Sequence, residues 1–178
     1  SIFSEVFQTL LLSGSVFLVV YIFLFRPFQV SGSSMYPNFH DREYVLTNLI
    51  GMRFQDPKRG DVVVFQSPVE KDKDFIKRVM GIPGDTIMVK EGDLYINGEK
   101  INQSDFLSSE VKTYPGAFLQ EAQMVTLGTD EYFVMGDNRG NSSDSREWGF
   151  VKKSEIVGQT VVVYWPPNEA RIIKNPLE

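Results

Sequence analysis

The sequence predicts a mostly β protein: an antiparallel, barrel-like β-sheet domain with a small inserted cap, carried behind an N-terminal transmembrane helix. Three observations predict it. Residues 6–25 form one uncharged apolar run, the rest divides into short β-rich runs separated by turn residues, and no long amphipathic helical repeat follows Pro27.

The apolar run reads VFQTLLLSGSVFLVVYIFLF. At about 1.5 Å rise per residue such a helix spans roughly 30 Å, the thickness of a bilayer core. Gln8, Thr9, Ser13 and Ser15 interrupt it without making the polar face of a soluble helix. A cleaved signal sequence calls for a basic leader and a small-residue cleavage site, and neither is evident. Tyr21 sits near one end, and Arg26 with Pro27 closes the span. Residues 1–27 are therefore read as a membrane anchor and 28–178 as a mostly antiparallel β domain. One arginine does not decide which side of the membrane holds that domain.

Eight runs then read as strands, at residues 44–50, 61–67, 74–80, 85–90, 93–97, 124–128, 131–136 and 160–165. Asp56-Pro57, Arg59-Gly60, Pro83-Gly84, Asn97-Gly98 and Pro166-Pro167 punctuate them. The segment GDLYINGEKIN predicts a hairpin, because Asn-Gly supplies the positive φ angles of its turn. Residues 103–123 are polar and weakly patterned and are read as an inserted loop or cap.

Composition narrows the function. With 178 residues, 42% hydrophobic and 23% charged, the chain has material for a core and is not disordered. A net charge of −5 argues against nucleic-acid binding through phosphates. No cysteine excludes disulfides, a thiol nucleophile and a Cys-based zinc site, and a single histidine excludes a His-rich metal site. Neither metal nor cofactor is expected.

Three segments can carry chemistry. In SGSSMYPNF (residues 31–39) Ser34 stands in a small-residue turn, which serves either as a plain connection or as a hydroxyl nucleophile with nearby amides for an oxyanion. His40 lies only six residues on, in the charged turn HDRE, and reads as a surface residue. Lys77 is the other nitrogen base. Alternation in DFIKRVM puts it on one face with Phe75 and Val79, where desolvation would lower its pKa from about 10.4 toward neutrality. A snorkelling lysine with its head in water fits the same spacing. The third segment, MGDNRGNSSDSREWGF (residues 135–150), is a long polar loop without EF-hand spacing. Ser142 or Ser143 could orient a lysine there, with Asp144 and Arg146 paired as a clamp.

Together these segments resemble type I signal peptidases, the serine-lysine membrane proteases of bacterial export. SMYP at 34–37, RGDVVVF at 59–65, KRVMGIPGD at 77–85 and GDNRGNSSDSREWG at 136–149 occur in the family's order behind an anchor. The resemblance covers almost the whole chain and is least specific at 103–123. It implies Ser34 as nucleophile, Lys77 as general base, and Ser142 as the group orienting the Lys77 amine. Asp144 and Arg146 would support that geometry, with Gly136, Asp137 and Asn138 shaping the loop. The Ser34 amide would form half of an oxyanion hole. Gly32 stands where some members place a serine hydroxyl, which implies a backbone donor or water instead, as in the shorter single-anchor members. Asn38 stands where the family usually has Thr, and an asparagine bonding its own turn would change little.

The implied substrate is the signal peptide of an exported precursor, cut after small residues in an Ala-X-Ala pattern. It would lie extended along residues 28–31 and 74–77. Phe28, Val30, Met35, Phe39, Phe75 and Ile76 are the expected pocket residues. The resemblance also implies the cytoplasmic membrane, with the catalytic domain outside, the lipid bilayer as partner and export machinery nearby. Two rivals stand beside it: a self-cleaving serine-lysine protease, and a non-enzymatic, membrane-anchored β assembly module needing neither Ser34 nor Lys77.

Overall fold

The structure is a computed structural model and describes residues 2–178. Helix α1 (Ile2–Leu24) covers the apolar run. Its window Ile2–Val19 has a mean hydropathy of 1.7, and none of that window is buried. Thr9 and Ser15 donate their hydroxyls to the carbonyls of Glu5 and Leu11, each at 2.8 Å, so these polar interruptions are satisfied within the helix. By length and composition α1 can cross a bilayer.

The helix passes directly into strand β1 (Phe25–Gln29). Arg26 and Pro27, expected to close the anchor, thus already belong to the sheet. Proline is tolerated because β1 is an edge strand, paired only with β2 (Tyr44–Asn48). The chain continues through a single helical turn, α2 (Gly51–Phe54), then β3 (Val62–Gln66), β4 (Asp74–Gly81), β5 (Thr86–Lys90), β6 (Asp93–Ile96) and β7 (Glu99–Lys100). After the insertion come β8 (Met124–Thr126), β9 (Glu131–Met135), the turn α3 (Ser145–Trp148), β10 (Val151–Lys152), the long β11 (Ile156–Trp165) and β12 (Arg171–Ile172). All eight strands read from the sequence are present. The β6–β7 hairpin turns on Asn97 and Gly98, at φ of 54° and 82°.

The larger sheet runs β1-β2-β11-β3-β4-β9-β10, with β12 added to β11, and its strand pairs are all antiparallel. Its end strands, β1 and β10, each have one neighbour, so among the described residues the sheet is open rather than a closed barrel. It coils enough that residues 28–31, at the end of β1 and just beyond it, face residues 74–77 of β4 across one cleft. The smaller sheet, β7-β6-β5-β8, is also antiparallel. Residues 103–123 contain no extended helix or strand, yet they are more than a solvated cap. Phe106, Leu107 and Leu119 are buried with Ile87, Val89 and Leu94 in the core beneath the small sheet. Their wide spacing among polar residues hid this from the periodicity.

Strand β4 positions the site. Strand β3 pairs with residues 74–78 and β9 only with residues 78–81, so the first half of β4 keeps one free edge.

Candidate active site

Ser34 stands in the turn after β1. Tyr36 N donates to Ser33 O (3.1 Å) and Phe39 N to Met35 O (2.9 Å). One helical-type turn therefore separates Met35 from Phe39 and aims both inward, where each is 1% exposed and packs with Val45, Val62 and Val163. This corrects the expectation for these two residues: they form the layer beneath the cleft and are not its walls. Gly32 is corrected as well. Its φ of 86° suits glycine, and its N–H donates to Asp41 Oδ1 at 2.7 Å, so it is not available to an oxyanion. Among the described residues the Ser34 amide donates to no acceptor.

Lys77 lies on β4 opposite Val63, with its Nζ 5.2 Å from the centre of the Phe75 ring. It is 4% exposed. Its Nζ is 2.7 Å from Ser34 Oγ and 3.0 Å from Ile76 O. Among the described residues no carboxylate lies within ion-pair distance of it. Burial lowers its pKa to about 8, against a smaller opposing pull from Asp144 and Asp137. His40 is half exposed and bonds Glu43 rather than Ser34.

The loop after β9 fixes the Ser34 turn from the other side. Asn138 N donates to Ser34 O (2.9 Å) and Asn138 Nδ2 to Ser33 O (3.0 Å). Gly136 packs so closely that a Cβ there would lie 2.4 Å from Ser34 O and 2.2 Å from Ser142 Oγ. Asp144 accepts both Arg146 Nε and Nη2 at 2.8 Å and also the Gly136 amide at 3.0 Å. The pair is fully buried, the Arg146 and Asp144 side chains 5% and 0% exposed. Asp137 likewise accepts Arg78 Nε and Nη2, at 2.8 and 2.7 Å.

Ser142 differs from expectation. Its Oγ is buried with no hydrogen-bond partner among the described residues, and it does not reach the Lys77 amine. The hydroxyl instead packs against Gly136. Asn38 does not bond its own turn: its Nδ2 donates to Asp137 Oδ2 and Phe106 O, both at 2.8 Å, tying the Ser34 turn to the insertion.

The cleft beside Ser34 and Lys77 encloses about 200 Å³. Phe28, Val30, Phe75 and Ile76 line it, joined by Gln29, Ser31, Val45, Val64, Asp74 and Ser143. Val45 and Val64 were missed, although they are the cross-strand partners of Phe28 and Ile76. Register would have found them. Arg78 and Arg139 were missed too. Arg139 is 2% exposed, donates to Thr113 Oγ1 (2.6 Å) and Gly136 O (3.1 Å), and is lowered by burial to about 10.

A hydroxyl touching a desolvated amine in a cleft of mixed apolar and polar lining can carry out acyl transfer. Comparison with known proteins points the same way. The family model for signal peptidase, peptidase S26, matches residues 3–165. Signal peptidase I of Bacillus amyloliquefaciens is 39% identical over 155 residues, 85% of this chain and 82% of the relative. Signal peptidase I S of Bacillus subtilis (strain 168) is 37% identical over 86% of this chain and 84% of its own length. Signal peptidase IB of Staphylococcus aureus (strain MRSA252) is 32% identical over 97% and 96%.

Proposed function

The chain belongs to the signal peptidase family, peptidase S26, and on that footing we propose that it removes signal peptides from exported precursors with Ser34 as nucleophile and Lys77 as general base. The observation that carries this reading is the 2.7 Å approach of Lys77 Nζ to Ser34 Oγ, with no carboxylate among the described residues within ion-pair distance of the amine. Neutral Lys77 takes the Ser34 proton as Oγ attacks the scissile carbonyl. The protonated amine then gives a proton to the leaving nitrogen, and water resolves the acyl-enzyme. The free Ser34 amide supplies one oxyanion donor.

The signal peptide lies extended in the cleft, adding to the free edge of β4 at residues 74–77 opposite residues 28–31. The narrow space between Phe28, Val30, Val45, Val64 and Ile76 favours small side chains before the cut, in an Ala-X-Ala pattern. Helix α1 (Ile2–Leu24) serves as a single-pass anchor in the cytoplasmic membrane, with the β domain that begins at β1 on the outer side near the export machinery. The test is cleavage of a precursor by the full chain in detergent. Ser34→Ala and Lys77→Ala should each abolish it, while His40→Ala retains it. Turnover surviving in Lys77→Ala and lost in His40→Ala would overturn the base assignment.

A further inference from the structure

The turn that carries Ser34 has a second cavity on its other side. It is lined by Tyr36, Pro37, Val111, Tyr114, Asn138 and Gly140, among others, and encloses about 420 Å³. Tyr36 is 53% exposed, Tyr114 60% and Val111 38%. These are three of the nine exposed large hydrophobic residues described outside α1, gathered in one place. Asn138, in its wall, is the residue whose amide holds Ser34 O. Tyr114 is exposed, yet its backbone is firmly placed. Arg146 Nη1 donates to Tyr114 O at 3.0 Å, and Arg139 Nη1 donates to Thr113 Oγ1 at 2.6 Å. Two buried arginines of the catalytic loop thus reach away from Lys77 and pin the insertion beside the nucleophile.

We propose that this cavity binds the mature segment of the precursor, taking an apolar side chain from the second to fifth residue after the scissile bond. The inference rests on the reading that residues before the cut fill the cleft of residues 28–31 and 74–77. A chain whose scissile carbonyl sits at Ser34 then leaves across the Ser33–Asn138 contact. At about 3.3 Å per extended residue it covers roughly 7–17 Å by those positions, the side of the turn where Tyr36 and Asn138 stand. Tyrosine rings offer an apolar face that costs little side-chain entropy to present. The insertion therefore acts as a specificity element for the mature residues beyond the cut.

The experiment compares two precursor peptides identical through the first residue after the cut. One ends there as an amide; the other continues five residues with a leucine at the third position. The full chain in detergent should process the longer peptide with a kcat/KM about tenfold higher. Tyr114→Ala should remove most of that advantage and change the short peptide less than twofold, whereas Tyr114→Phe should keep it. A wild type indifferent to length, equal losses on both peptides, or no loss on either with Tyr114→Ala would overturn the proposal, the last assigning the patch to another partner. Loss of cleavage of both peptides in Ser34→Ala tests the underlying dyad separately. If that variant still cuts, it is the catalytic reading that fails.

Discussion

On one side of β4, Lys77 is buried against a hydroxyl and a carbonyl, with no carboxylate among the described residues within ion-pair distance. On the other side Arg78, equally buried, is gripped at two points by Asp137 and also donates to Gly60 O at 2.9 Å. Adjacent residues on one strand thus hold two kinds of buried charge. A guanidinium matched by a carboxylate stays charged and fixes geometry. An amine desolvated without such a match can give up its proton, which a general base requires. The Asp144–Arg146 pair belongs to the first kind. Both pairs hold the loop that packs against the Ser34 turn.

Substitutions can break this contrast, and the largest effect falls on turnover. Ser34→Ala and Lys77→Ala should each lower kcat/KM by about 10³-fold or more, and the double variant should lose little beyond either single one. Additive losses on precursor cleavage would mean the two residues do not act as a unit. On the scaffold side, Asp137→Ala or Asp144→Ala leaves a buried arginine uncompensated. Each should cost about 3–5 kcal/mol in denaturant melts, with activity falling as the loop loosens. Unchanged melting and turnover in both would make the loop a mere connector.

Next comes a gain. Depressing Lys77 to about 8 corresponds to a folding penalty of roughly 3 kcal/mol. The folded chain binds fewer protons at this site than the unfolded chain between pH of about 8 and about 10.4. Wild-type stability from this group therefore rises with pH across that window, and below it the full penalty applies. Lys77→Met should raise stability by about that amount below pH 8, apart from packing changes, with the gain fading toward pH 10.4. A variant-minus-wild-type difference independent of pH would indicate a solvated lysine. The smallest effect belongs to Ser142→Ala. Its buried hydroxyl has no partner among the described residues, so melting should change by less than about 1 kcal/mol. A larger loss would reveal a bond to Ser142 formed in solution.

The same contrast explains how much could be read from the chain. Strand alternation placed Lys77 with Phe75 and Val79, and the Asn97-Gly98 turn and all eight strands followed from local chemistry. Asp144 and Arg146 are two residues apart, so their pairing was legible. The partner of Arg78 lies 59 residues away, and Arg139 meets Thr113 across 26. No local pattern announces such pairings. Met35 and Phe39 misled because apolar residues beside a nucleophile look like pocket walls, whereas one helical-type turn aims both at the core. Ser142 was assigned through resemblance, and its hydroxyl packs against Gly136 instead of bonding the amine.

The pH dependence of kcat/KM on a precursor peptide tests the central claim most directly, since it reports ionisations of the free enzyme. If Lys77 is the neutral base, activity falls about tenfold per pH unit below an acidic limb near pH 8, where burial sets its pKa. A limb near pH 10, where a solvated lysine titrates, or a profile flat from pH 6 to 9, would contradict it and leave Ser34 in need of another base.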